Sequence, residues 1–314
     1  MSLSISHLHD EIDRVGKPRE VEGVLDLYLI RPSGYLIARA VYPTAIGPNT
    51  LSVLAVVFGW ASAWGFYRAA AGEDVALWGA FAGLMMWIHS AFDSADGQLA
   101  RWRDETSELG RVIDGLCDYL TFLAIYLAIG AGLAVRFDAY TAPIFAVAVV
   151  GALSHALQCA LVEYQRNLYR AHVYGTPMPE SGGPAGRAER PPSWLQALHR
   201  GYAAVQQLLC GSSEELSRVV ARQRHGADHT ASLIRKHQRA LLPFWAMLAP
   251  NSHKVMMVAT AFLPTAGTTL AGRLGMGWYL IYDVVVLNAF LLLMLLWQRR
   301  VDGLIKRELA GGTR

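Results

Sequence analysis

Four aspartates stand at fixed spacing in the stretch "FDSADGQLARWRDETSELGRVIDGLCD": Asp93, Asp96, Asp114 and Asp118. Asp93 and Asp96 are three residues apart, and Asp114 and Asp118 are four apart, so on helices each pair shares one face. Two adjacent antiparallel helices aim both pairs into one site. Four carboxylates that close repel strongly in a low-dielectric setting unless cations neutralise them. All-oxygen ligation suits two hard divalent ions, Mg²⁺ or Mn²⁺, with Ca²⁺ as a non-productive occupant, rather than zinc. Two such ions about 4 Å apart clamp a phosphoryl group in transit. The neighbours suit that use. Gly97 removes a side chain where a ligand nears the backbone, and Ala100 keeps the same face open one turn later. Arg101 supplies a bidentate cation for phosphate. Gly110 leaves a flat helix surface for a base or sugar. The bland reading is a charged loop, and Arg103, Asp104 and Glu105 are assigned to one. The aspartates resist that reading, because Asp93 follows Phe92 and Asp118 precedes "YLTFLAIYL". Acids at a membrane edge are expensive and usually functional.

The elements that must position these acids are apolar. The 314-residue chain is 53% hydrophobic and 17% charged, against about 25% charged in soluble domains. The deficit lies in long blocks, which predicts an all-α integral membrane protein with six spans. They are expected near 49–67, 75–92, 119–135 (its helix starting near Glu108), 139–162, 255–272 and 274–298. Placing the N-terminus inside leaves only Arg68, Arg136 and Arg273 of the 28 basic residues in outer loops, so the orientation is N-in, C-in. The polar start lacks a signal-peptide core, which makes the first span the targeting signal. Trp64, Trp78, Trp278 and Trp297 fall near span ends, as lipid anchors do.

The domain organisation follows. Residues 1–47 form a cytoplasmic N-terminus with an amphipathic helix on the inner leaflet. Residues 48–172 hold spans one to four with the motif at 93–118. Residues 173–250 form a cytoplasmic insertion, flexible over 175–192 and then helical, with Ser213, Glu214 and Glu215 as a helix start. Residues 251–300 hold the last two spans, and 301–314 form a tail. Cys117, Cys159 and Cys210 are too few and too far apart for a disulfide framework or a zinc site. A net charge of +3 predicts no nucleic-acid partner.

The pattern D-x2-D-G-x2-A-R-x8-G-x3-D-x3-D, through Asp93, Asp96, Gly97, Ala100, Arg101, Gly110, Asp114 and Asp118, resembles the signature of the CDP-alcohol phosphotransferases of phospholipid synthesis. All eight fixed positions match. "GPNTLS" resembles the family's opening of the first span, which adds Asn49 and Ser52. The resemblance implies that the four aspartates hold two divalent ions. It implies that Asn49, Ser52, Gly97, Ala100, Arg101 and Gly110 cradle the cytidine diphosphate, and that Asp118 is the general base. An acceptor hydroxyl then displaces CMP. The site is expected at the cytoplasmic face of the inner membrane, in a homodimer among membrane lipids.

The alcohol is less legible. One branch of the family pairs CDP-diacylglycerol with a polar acceptor; the other transfers a choline or ethanolamine head group to a lipid alcohol. Arg111, Arg166, Arg170, His253 and Lys254 form a candidate anion pocket resembling the inositol-phosphate-using members. The positive-inside rule alone also accounts for inner-edge cations. His89, one turn before Asp93, has two readings, a site-lining residue or a helix-packing histidine; His155 and Asp283 are assigned no catalytic role, with Asn288 or Arg273 as partners. A non-catalytic scaffold or transporter is the remote alternative, and it predicts acids spread at midplane through several spans.

Overall fold

The computed structural model describes residues 18–176, 205, 208–222, 227–266 and 269–311. Every element among them is helical. A π-helical turn at Asp26–Ile30 leads into α1, Arg31–Val41. Then come α2 (Pro48–Ala70), α3 (Val75–Trp102), α4 (Glu108–Arg136) and α5 (Thr141–Tyr174). Beyond the expected flexible run, most of which lies outside the described residues, follow α6 (Gly211–Arg222) and α7 (Ala227–Gln238). Next are α8 (Pro250–Ala261) and α9 (Gly277–Gly311), the latter carrying a π-helical stretch at Tyr282–Leu287. Among the described residues, five helices are long and apolar enough to cross a membrane: α2, α3, the Ile113–Arg136 part of α4, Asp138–Tyr174 and α9.

The expected fifth span at 255–272 differs. Its helix α8 has only 12 residues, about 18 Å, against a hydrocarbon core of about 30 Å. Pro264 is the cause: it has no N–H to donate and disfavours helix at Leu263. A separate short helix, Leu270–Arg273, follows with Thr269 as its cap. The helix starts elsewhere follow local rules. Pro48 occupies the first turn of α2, where a missing N–H costs nothing. Asp74 accepts from Leu77 N and Ser107 from Gly110 N, so α3 and α4 both begin on side-chain caps. In α6 the helix starts two residues before Ser213, and that hydroxyl donates to Asp302 at 2.7 Å instead.

Contacts divide the chain into two units. The first comprises Met1–Ala156 with Pro250–Val286. Its core joins Phe66, Met86, Phe122, Ile125, Tyr126, Ile129, Met257 and Tyr279. In lipid, helices associate by close packing of small residues rather than by the hydrophobic effect, and α2 packs that way on both sides. A Cβ on Gly65 would lie 2.9 Å from the Ala82 Cβ of α3, and one on Gly132 of α4 only 2.4 Å from Tyr67 O. α1 rests on the motif helix. A Cβ on Gly34 would meet Ser94 at 2.8 Å, and Gln98 Nε2 donates to Arg31 O at 3.1 Å.

Arg103 corrects the charged-loop reading. Its guanidinium donates to the carbonyls of Val41, Tyr42, Thr44 and Ile46 at 2.8–3.0 Å. It thereby ties the α1–α2 connection to the end of α3. Asp104 beside it takes φ 56°, a left-handed conformation that Asp tolerates better than most residues.

The second unit comprises Leu157–Ala249 with Leu287–Arg314. Its hub is the fully buried Asp302, which accepts from Ser212, Ser213, Gln238 and Gln298 at 2.7–3.1 Å. Four donors from α6, α7 and α9 offset the cost of burying that carboxylate. Ion pairs Lys306–Glu215 and His237–Glu308 reinforce the same helices.

Gly132→Ala tests the close packing, because the atom it meets is backbone and cannot turn aside. The expected loss is about 1–3 kcal/mol, seen as a lower thermal midpoint in detergent. Gly303→Ala, where no atom lies within 4 Å of the new Cβ, is the control. Equal midpoints for the two variants contradict the packing account.

Candidate active site

α3 and α4 bring the acids together. Ligand oxygens of Asp93, Asp96 and Asp114 all lie within 4.8 Å of one another. Asp96 is 5% exposed and accepts a short hydrogen bond from Ser52 Oγ of α2. Ser52 thus reaches the acid cluster from α2. Asn49 also arrives: its Oδ1 lies 3.6 Å from where a Gly110 Cβ would stand. A side chain at 110 would therefore crowd both Asn49 and the Ser107 cap.

Asp118 stands one turn beyond Asp114 and outside that trio of oxygens. Its Oδ1 is buried without a hydrogen-bond donor and faces His89 Nε2 at 3.8 Å. His89 is 1% exposed and is held by Nδ1 against Ala55 O at 2.9 Å. A carbonyl only accepts, so Nδ1 carries the proton in that bond. Asp93, Lys254 and Asp114 are the charged groups that act on Asp118.

Gly97 has Arg101 of its own helix beside it. The Arg101 guanidinium folds back over it, with Nη1 3.2 Å from where a Cβ would be. The space that glycine leaves is used by the chain's own phosphate-type cation.

The acceptor candidates separate. Lys254 is 7% exposed; its Nζ donates to Ser90 Oγ at 3.0 Å and lies over the Phe122 ring. Ser90 and Phe122 are each one turn from a motif aspartate, Asp93 and Asp118, so Lys254 joins the motif. His253 turns the other way, is fully buried, and pairs through Nδ1 with Tyr279 OH at 3.0 Å. The side chain of Arg111 lies outside the described residues. Arg166 and Arg170 belong to the second unit, where Arg170 donates to Asn167 Oδ1 at 3.2 Å.

A buried polar network escaped the sequence reading. Tyr126 OH joins Tyr279 OH and Asp283 Oδ2, each at 2.7 Å, and His155 Nδ1 at 3.2 Å. His155 and His253 stack at 3.9 Å. Asp283 and His155 thus pair with tyrosines and with His253, and Asn288 accepts from Gln158. The available signal was the set of polar residues inside apolar spans.

The acid cluster fits divalent cations. Three carboxylates within one ion's reach form a hard-oxygen donor set, and Asp118 adds a buried oxygen without a donor. The cluster also sits on two neighbouring helices, which is not the midplane scatter of a transport pathway.

Comparison with known proteins points the same way. The sequence profile of CDP-alcohol phosphatidyltransferases matches residues 45–187. Cholinephosphotransferase 1 of Danio rerio is 30% identical over 112 residues, covering 35% of this chain and 29% of the fish protein. The chain thus spans under a third of that relative's length. The matched segment contains Asn49, Ser52 and every position of the aspartate motif. Motif spacing, the gathered carboxylates and the profile converge: the chain carries, over residues 45–187, a domain of the CDP-alcohol phosphatidyltransferase family.

Proposed function

We propose that this protein transfers a substituted phosphate group from a CDP-alcohol to an acceptor hydroxyl and releases CMP. The observation that carries the reading is the meeting of Asp93, Asp96 and Asp114 within 4.8 Å, with Asp118 one turn away. Asp118 takes the proton of the acceptor hydroxyl. The hydroxyl oxygen forms a bond to the phosphorus nearer the donor alcohol. The pyrophosphate P–O bond breaks, and its electron pair leaves with CMP. Held by the four aspartates, two Mg²⁺ or Mn²⁺ ions would neutralise the pyrophosphate and the leaving phosphate. Arg101 binds a phosphate oxygen; Asn49, Ser52, Gly97, Ala100 and Gly110 shape the nucleotide face. His89 and Ser52 orient Asp118 and Asp96.

The donor in this reading is CDP-diacylglycerol and the acceptor is polar, with inositol phosphate as the leading form. Lys254 supports it: a buried ammonium beside the base favours an anionic acceptor and disfavours a quaternary ammonium. Arg111, one turn before Asp114 in the sequence, is a second cation of that pocket. The second reading, choline or ethanolamine transfer to a lipid alcohol, rests on the similarity to the fish cholinephosphotransferase.

The topology proposed with it has six crossings, both termini and the active site on the cytoplasmic face of the inner membrane, and α1 on the inner leaflet. The broken segment 250–273 supplies the remaining crossing. Lys254 meets Ser90 of α3 and lies over Phe122 of α4, and Arg136 at the far end of α4 binds the carbonyls of Thr265 and Arg273. From Phe122 to Arg136, α4 rises about 21 Å. Irregular backbone is tolerated at such depth where protein groups satisfy it.

Asp118→Asn is expected to cut CMP release at least ~100-fold while CDP-alcohol binding stays measurable by calorimetry. Near-wild-type turnover removes Asp118 as the base. Excess EDTA is expected to stop turnover, and added Mg²⁺ or Mn²⁺ to restore it; full activity in chelator sinks the cation reading. Lys254→Met is expected to raise KM for a phosphorylated polar acceptor roughly tenfold or more, with donor KM changed less than about twofold. A panel of donors and acceptors in the same CMP-release assay separates the branches: turnover of CDP-choline alone selects the second.

A further inference from the structure

The 173–250 segment carries a feature that the transfer reaction does not use. Ser232, Arg235, Lys236, Arg239 and Ala240 line a cavity of about 600 Å³ on α7 and the turn after it. All five residues are exposed. Three of the five are cations, and no acid is among the described lining residues. Basic residues in a last helical turn complement the helix dipole, which accounts for one or two of them but not for a shared concavity with a hydroxyl on its wall.

Two further observations bear on where this cavity lies. The Arg235 guanidinium lies 5.3 Å over the ring of Tyr174, the last residue of the spanning segment Asp138–Tyr174. That segment has 37 residues, about 55 Å of helix, so Tyr174 lies past a hydrocarbon core of about 30 Å. Immediately after Ala240 the chain enters the short helix Leu242–Ala246, which presents Phe244 outward at 41% exposure, with Met247 at 47% just beyond. Phe244 packs on Trp297 at 5.2 Å, and that indole is itself 41% exposed. Exposed aromatic and thioether side chains beside a cluster of cations make up the surface that enters the headgroup boundary of an anionic leaflet.

We propose that the cavity on α7 binds the phosphate headgroup of an anionic membrane phospholipid, with Phe244, Met247 and Trp297 against its acyl chains. The two arginines take the phosphate oxygens, Ser232 offers a hydroxyl, and Lys236 adds charge. The insertion is thereby seated on the leaflet. This inference rests on reading Asp138–Tyr174 as a spanning helix and is independent of which alcohol the active site uses.

The test uses full-length protein in phosphatidylcholine nanodiscs. Each disc contains a trace of photoactivatable phosphatidic acid or photoactivatable phosphatidylcholine, and cross-linked peptides are read by mass spectrometry. The phosphatidic acid probe is expected to label residues 232–247 several-fold more than the phosphatidylcholine probe does. Arg235→Ala, Lys236→Ala and Arg239→Ala together are expected to lower that labelling roughly tenfold or more. Arg235→Lys with Arg239→Lys, which retains the charge, is expected to keep most of it and controls for folding. Equal labelling by the two probes, or labelling unchanged in the triple variant, overturns the proposal. Competition to baseline by 10–100-fold excess glycerol phosphate or inorganic phosphate also overturns it, by assigning the cavity to a soluble phosphate instead.

Discussion

Carboxylates gathered at the end of apolar helices are the constraint that organises the first unit. Asp93, Asp96 and Asp114 approach within 4.8 Å, where like charges oppose one another strongly in a low dielectric. Such an arrangement persists only if the helices bearing it are held by other contacts. Those contacts are present. Ser52 holds Asp96 from α2, His89 stands opposite Asp118, and Lys254 brings a positive charge from α8. The acids do not assemble the site; the packing around them does.

That packing relies on absence of bulk. Gly65, Gly132 and Gly34 let backbones approach where any Cβ would collide with Ala82, Tyr67 or Ser94. α2 therefore lies close against α3 and α4 and delivers Asn49 and Ser52 to the motif. At the far end of α4, Arg136 uses its guanidinium on the carbonyls of Ala70, Thr265 and Arg273. At the near end, Arg103 does the same for the α1–α2 connection. Both arginines satisfy backbone that leaves helical geometry, a role distinct from surface charge.

The second unit solves a similar problem with one acid. Asp302 is fully buried yet accepts four hydrogen bonds, so its charge is stabilised by donors rather than by a counter-ion. Gln298 and Asp302 lie one turn apart on α9, and Ser212, Ser213 and Gln238 converge on them from the insertion. The helical part of the insertion is thereby a folded body.

What the sequence alone determined was local and periodic. Long apolar blocks place α2, α3, α4, α5 and α9, because a bilayer demands about 20 apolar residues per crossing. Three- and four-residue spacing puts the aspartates on helix faces, and a match at eight positions names the family. These properties depend on neighbours in the chain. Tertiary structure alone decided which distant groups meet. Lys254 lies 136 positions from Asp118, and only the fold distinguishes it from an ordinary inner-edge cation. His253, its neighbour, turns instead into the tyrosine network, because adjacent helical residues point about 100° apart. Arg103 reads as loop charge until four carbonyls surround it. The helix break near Pro264 hid beneath adequate hydropathy, because hydropathy measures solvent preference and not backbone continuity.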